Sequence, residues 1–170
     1  QTKLGPVDIL VNNVGGRKGT TIVDTTDEQM AGGFNMNLWC ALRFMKLVIP
    51  GMKGRKWGRI INITSIYGRE YGGSIDYMTG KAGLIAFSKH LALQMIPHNV
   101  LVNCIAPGLT MVEATEYVPE DRKKQYIDGR ALQREQLPED ITGTALFLLS
   151  DAADFVTGQC LAVNGGFVMN

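Results

Sequence analysis

The chain has little of what would mark a metal protein, a disulfide scaffold or a polyanion binder. Its 170 residues include three cysteines and two histidines. Cys40, Cys104 and Cys160 are odd in number and far apart, with no CxxC and no histidine at ligand spacing, which excludes a zinc site or a disulfide framework. They read as reduced core residues of a cytoplasmic protein. Charge of one sign is also missing: 17 basic and 16 acidic residues leave a net charge of +1, so no nucleic-acid or anionic-membrane partner is expected. The one long uncharged stretch, His90 to Val112, is broken by Gln94, Pro97, Asn99, Asn103 and Pro107 and reads as a helix end followed by a buried strand rather than a membrane span. The first apolar run, "VDILVNNV", carries Asp8 and two asparagines and is no signal peptide. Internal repeats and low-complexity segments are absent, which leaves small molecules or further copies of the chain as partners.

With 45% hydrophobic residues the chain can bury one substantial core. Four short runs rich in Val, Ile and Leu recur: 7–14, 58–65 ("GRIINITS"), 100–107 ("VLVNCIAP") and 160–166 ("CLAVNGG"). Lacking polar alternation, they suit strands buried on both faces of a parallel sheet. Helical segments separate them. The first opens at "TTDEQ", where Thr26 and Gln29 fit a capping box, and repeats apolar residues at Met30, Phe34, Leu38, Ala41, Met45 and Val48. The second covers about 76–96 and the third begins at Pro138, with Glu139 and Asp140 at the positive end of its dipole. This alternation predicts a single α/β domain, a Rossmann-like doubly wound parallel sheet. Residues 109–137 follow the third strand as one irregular charged stretch, expected either to cover a site at the strand ends or to form a solvated surface helix.

"SIDYMTGKAG" places Tyr77 and Lys81 four positions apart, on one helix face, with the ammonium expected within reach of the phenol oxygen. Alone, that spacing is common. Ser65 ends the second apolar run at its carboxyl end, as a plain turn residue or a site residue. Asn37 lies on or beside the apolar stripe of the first helix, either as a capped buried amide or as a fixed post for water.

Taken together, Asn37, Ser65, Tyr77 and Lys81, with "NNVG" at 12–15, "PG" at 107–108 and "VTGQCLAVNGG" at 156–166, make the chain resemble the short-chain dehydrogenase/reductase family along nearly its whole length. The general look is that of 3-oxoacyl-acyl-carrier-protein reductases and related ketoreductases. The resemblance implies hydride transfer between NADP or NAD and a carbonyl or secondary alcohol. In it Tyr77 is the general acid/base and Lys81 lowers the phenol pKa and holds the nicotinamide ribose. Ser65 binds the substrate oxygen, and Asn37 holds a relay water. Asn12, Asn13, Val14 and Gly15 match the family's "NNAG", with Val14 in place of alanine. Pro107, Gly108 and Thr110 match the turn beside the nicotinamide. The family's threonine four residues beyond the glycine is Val112 here, with Thr110 or Thr115 as substitutes. A nucleophilic Ser65 is disfavoured, since no GxSxG elbow surrounds it.

The resemblance also implies a homo-oligomer, a tetramer or dimer, and "FNMNLWCALRFMKLVI" is apolar around more of its circumference than one sheet contact needs. The family's glycine-rich TGxxxGxG turn does not occur in these 170 residues. About 80 residues carrying it and the NAD-versus-NADP selector are expected to precede the chain, two and a half strand-helix units in all. The second expectation is therefore a non-catalytic piece or scaffold that keeps the fold and its association surfaces. Arg17, Lys18 and Arg69 follow strand ends and are either solvated loop cations or attractors of an anionic substrate.

Overall fold

The computed structural model describes residues 5–169. Strands β1 (Ile9–Asn12), β2 (Gly58–Ile63), β3 (Val100–Pro107) and β4 (Cys160–Val163) form one parallel sheet in the order β1-β2-β3-β4. Helices occupy both faces, as parallel crossovers require. Helices α2 (Cys40–Arg55) and α3 (Ile75–Met95) pack Met45, Met52, Leu84 and Leu91 on Ile60, Val100 and Val102. On the opposite face α5 (Glu139–Leu149) sets Leu148 against Ile61 and Ile105. Successive strand residues alternate between the two cores, so β2 and β3 are buried on both sides. Rossmann-like architecture is thus as the apolar runs predict.

β1 is the exception to the expectation of two-sided burial. Among the described residues it pairs only with β2, and Ile9 and Val11 stay 44% and 45% exposed. A strand at a sheet edge has no neighbour to carry a covering helix across its outer side.

Helix α1 (Asp27–Phe34) starts at the predicted box: Gln29 N–H donates to Thr26 Oγ1 at 3.2 Å and Thr26 N–H to Gln29 Oε1 at 2.9 Å. The single helix expected beyond it is divided. A π-turn at Asn35–Trp39 separates α1 from α2, and inside it the Asn37 side chain donates to the Gly33 carbonyl one turn back at 2.9 Å. The stretch 109–137 is likewise more regular than its composition implies. It contains a 3-10 turn at Glu113–Thr115 and helix α4 (Glu120–Asp128), held on its solvent side by Lys123–Glu120 and Lys124–Asp128 pairs. Having no apolar stripe, α4 leaves no periodic trace in the sequence.

Candidate active site

A cavity of about 960 Å³ opens at the carboxyl ends of β1, β2 and β3. Parallel sheets place their sites there because every strand delivers its loop to the same edge. Strand ends supply Asn13, Gly15, Ser65, Pro107 and Gly108, and α3 supplies Tyr77 and Lys81. Val112, Tyr117, Arg122 and Tyr126, all from 109–137, form another wall.

Ser65 continues β2 in extended conformation and caps the short turn after it, its Oγ accepting the Tyr67 N–H at 3.1 Å. The same hydroxyl acts on the Tyr77 phenol, and both side chains line the cavity. Two hydroxyls, one from a strand end and one from a helix, therefore meet over the cavity. Burial raises the Tyr77 pKa above its ordinary value, against the neighbouring Ser65 hydroxyl, which lowers it, and with the Tyr117 phenol adding to the rise. The phenol is thereby held in its neutral, proton-donating form.

Lys81 directs its protons to backbone carbonyls. Its Nζ lies 5.8 Å from the Tyr77 ring centroid and donates to the Ile63 carbonyl at 2.8 Å and the Val14 carbonyl at 3.3 Å. A buried ammonium needs acceptors on its protons, and the ends of the first two strands provide them. Burial pulls its pKa down to about 8, and Cys104 opposes that shift. Two of three N–H donors are used, leaving one for the cavity that Lys81 lines. Gly15 is needed here, since a Cβ on it would sit 2.9 Å from Lys81 Nζ and 3.3 Å from Asn37 Oδ1.

Asn37 is 1% exposed and nearly saturated: besides Gly33, Nδ2 donates to the Gly16 carbonyl at 2.7 Å while Oδ1 accepts the Gly16 N–H at 3.1 Å. The capped-amide alternative describes this side chain, with one Oδ1 lone pair to spare. Gly80 lets α3 approach, because a Cβ there would lie 2.8 Å from Asn37 Cβ.

The "NNVG" residues divide their work. Asn12 points into the sheet and donates to Asn62 Oδ1 at 2.7 Å, Asn62 donating onward to Ser88 Oγ at 2.8 Å. Asn13 and Gly15 face the cavity, and Val14 leaves its side chain 55% exposed while its carbonyl takes Lys81. Past β3, Gly108 N–H donates to the Val163 carbonyl at 3.1 Å, and Thr110 bridges Gln136. Thr110 and Thr115 both line the cavity, but the Thr115 hydroxyl is committed to the turn, 2.8 Å from the Thr110 carbonyl and accepting Val112 N–H at 3.0 Å. Of the three candidate cations only Arg17 lines the cavity; Arg69 donates to the Cys160 carbonyl at 3.1 Å. Lys18 contributes its backbone N–H, 2.7 Å from Asp76 Oδ2.

Asp76 is a residue that sequence reasoning missed. An acid in the first turn of a helix reads as a dipole complement. Here it is fully buried, which raises its pKa, but the polar surroundings formed by Ser74 and the backbone of Lys18, Gly19 and Tyr77 outweigh burial, so the net shift is downward. It ties the loop after β1 to the helix that carries Tyr77. Tyr67 and Arg122 were also missed, because neither lies in a motif and only the fold brings them to the cavity.

Comparison with known proteins places this geometry. The family model described as enoyl-(acyl carrier protein) reductase matches residues 1–168. The chain belongs to the short-chain dehydrogenase/reductase family. It is 37% identical over 161 residues to a 3-oxoacyl-(acyl-carrier-protein) reductase of Chlamydia trachomatis, covering 94% of the chain and 65% of that relative. Among solved structures of the family, an oxidoreductase from Burkholderia thailandensis superposes with a TM-score of 0.91 at 32% identity, over 96% of this chain and 65% of that one. A 3-oxoacyl-(acyl-carrier protein) reductase from Brucella melitensis with bound NAD superposes at 0.87 and 27% identity, over 96% and 63%. The chain thus spans about two-thirds of the length of these family members.

Proposed function

We propose that the site transfers hydride between NAD(P)(H) and a carbonyl or secondary alcohol, with Tyr77 as the general acid/base. The observation that carries this reading is that the Ser65 and Tyr77 hydroxyls and the buried Lys81 line one cavity at the strand ends. In the reducing direction the substrate oxygen takes hydrogen bonds from Ser65 Oγ and the Tyr77 phenol, and Tyr77 delivers its proton as negative charge develops there. A buried phenolate is costly, so its proton must be replaced quickly. Lys81, with a pKa near 8, is matched to that relay at physiological pH. Asn37 stands beside it, and its spare Oδ1 lone pair suits the expected relay water.

The cofactor fits the residues present. The free Lys81 N–H suits a ribose hydroxyl, Asn13 and Gly15 offer a wall with little side-chain bulk, and among the described residues no Asp or Glu lines the cavity to repel phosphates. When bound, NADH or NADPH supplies the hydride. Pro107, Gly108 and Thr110 would hold its nicotinamide end. NAD in the Brucella relative supports the nucleotide class. Residues 109–137 would cover the substrate, since they contribute one wall of the cavity.

Self-association belongs to the same proposal. Phe44 and Leu47 on α2 and Leu146 and Phe147 on α5 are apolar and exposed. They suit a homodimer or homotetramer, and light scattering showing a stable monomer at micromolar concentration would remove that part.

The edge position of β1, with Ile9 and Val11 exposed, favours a second reading for these 170 residues taken alone, a piece that keeps the fold without turnover. Fluorescence titration with NADPH separates the two. Stoichiometric binding by the full-length protein and carbonyl reduction lost in Tyr77→Phe support the enzyme, whereas undiminished reduction in that variant rejects the role given to Tyr77.

A further inference from the structure

Of the five cations in 109–137, Arg130 is buried and donates to the carbonyls of Arg134 and Leu109. Lys123, Lys124 and Arg134 each pair with a carboxylate. Arg122, next to Lys123, has no carboxylate partner among the described residues and lines the cavity, where its charge acts on the Tyr67 phenol. It occupies the first turn of α4, where the positive end of the helix dipole disfavours a cation, so local structure gives no reason for it.

From the loop after β1, Arg17 stacks 4.8 Å from the centroid of the Tyr117 ring and also lacks a carboxylate partner among the described residues. Tyr67 completes the group. Its ring lies on Gly72 and Gly73, both at positive φ; a Cβ on Gly72 would overlap the ring and one on Gly73 would come within 3.2 Å of it. With Lys81, three cations and no acid among the described residues line one cavity, in a chain whose net charge is +1. A cleft of single sign concentrates ligands of the other.

We propose that the substrate carries an anionic group, carboxylate or phosphate, seated by Arg122, Arg17 and the Tyr67 phenol while its carbonyl meets Ser65 and Tyr77. This rests on the hydride-transfer reading above. Guanidinium forks and a phenol donor suit such oxygens, and a site built for them discriminates against neutral analogues.

The test uses the full-length protein with NADPH or NADH. Short aliphatic keto acids are compared with their methyl esters, and dihydroxyacetone phosphate with dihydroxyacetone. The expected result is a kcat/KM preference of at least about tenfold for the anionic member of one pair, carried by KM, and that pair identifies the group. Arg122→Gln is expected to reduce the preference by about tenfold or more, the scale of one charge-assisted hydrogen bond. Lys124→Gln, on the same helix but paired with Asp128, is expected to leave it in place. Equal use of acid and ester together with equal use of both triose compounds overturns the proposal. So does a preference that survives Arg122→Gln combined with Arg17→Gln, or an effect of these variants on the KM for NADPH alone, which would assign the arginines to the cofactor phosphates. If nothing is reduced, the hydride-transfer reading fails, and calorimetry decides the anion site by itself: keto-acid binding weakened by Arg122→Gln upholds it, and acid and ester binding alike rejects it.

Discussion

The two walls of the cavity are built on opposite principles. The strand-end and α3 wall holds Ser65 and Lys81 at 6% and 3% exposure, and Asn37 in the adjoining π-turn is 1% exposed, each fixed by hydrogen bonds to backbone. The 109–137 wall is mostly exposed and is held by surface ion pairs, a turn capped by Thr115 and a bridge from Thr110 to Gln136. Proton transfer demands positions accurate to fractions of an ångström, and a buried, over-determined scaffold provides that. Recognition tolerates a looser wall, and such a wall can change its side chains without cost to the core. The chemistry is therefore assigned to the first and the selectivity to the second.

Substitutions that separate the walls test this division. Tyr77→Phe is expected to lower kcat of the full-length protein by at least about a hundredfold with the melting temperature little changed, since the ring remains and only the donor is lost. Steady-state kinetics beside thermal unfolding checks it. Gly80→Ala is expected to cost about 1–2 kcal/mol by denaturant titration, because the crowding of Asn37 exceeds the roughly 1 kcal/mol that alanine gains in a helix. Activity should fall with it, as Asn37 and Lys81 are displaced.

Lys81 supplies a pH-dependent test of the rigid wall. Its folded pKa of about 8 lies below its ordinary value of 10.5, so between these limits the unfolded chain binds more protons and stability rises with pH. The cost of burying the ammonium is full below pH 8 and is relieved as pH climbs towards 10.5. Lys81→Met is expected to flatten that part of the stability-pH curve, and a variant that keeps the slope would show that other groups produce it. At the small end, Lys124→Gln on the other wall is expected to change stability by less than about 0.5 kcal/mol, because an exposed i,i+4 pair contributes little. A loss comparable to that of Gly80→Ala would show that both walls are equally constrained and would break the comparison.

What could be read from the chain alone is what neighbours along it decide. Two-sided apolar runs predicted β2 and β3, the Thr26–Gln29 pair predicted the start of α1, and the spacing of four put Tyr77 and Lys81 on one helix. The order of motifs then pointed to the family. Tertiary structure decided the rest through contacts between distant residues. Lys81 donates to the carbonyls of Ile63 and Val14, 18 and 67 positions away. Asn37 becomes a nearly saturated amide because Gly16, 21 positions earlier, docks on it in the π-turn. Asp76 changes from a helix-dipole residue to the tie that holds the loop after β1, and Arg122 from one more surface cation to part of the cavity wall. Periodicity and spacing report which face of an element a residue occupies; the element packed against that face determines which buried donors and acceptors must satisfy one another.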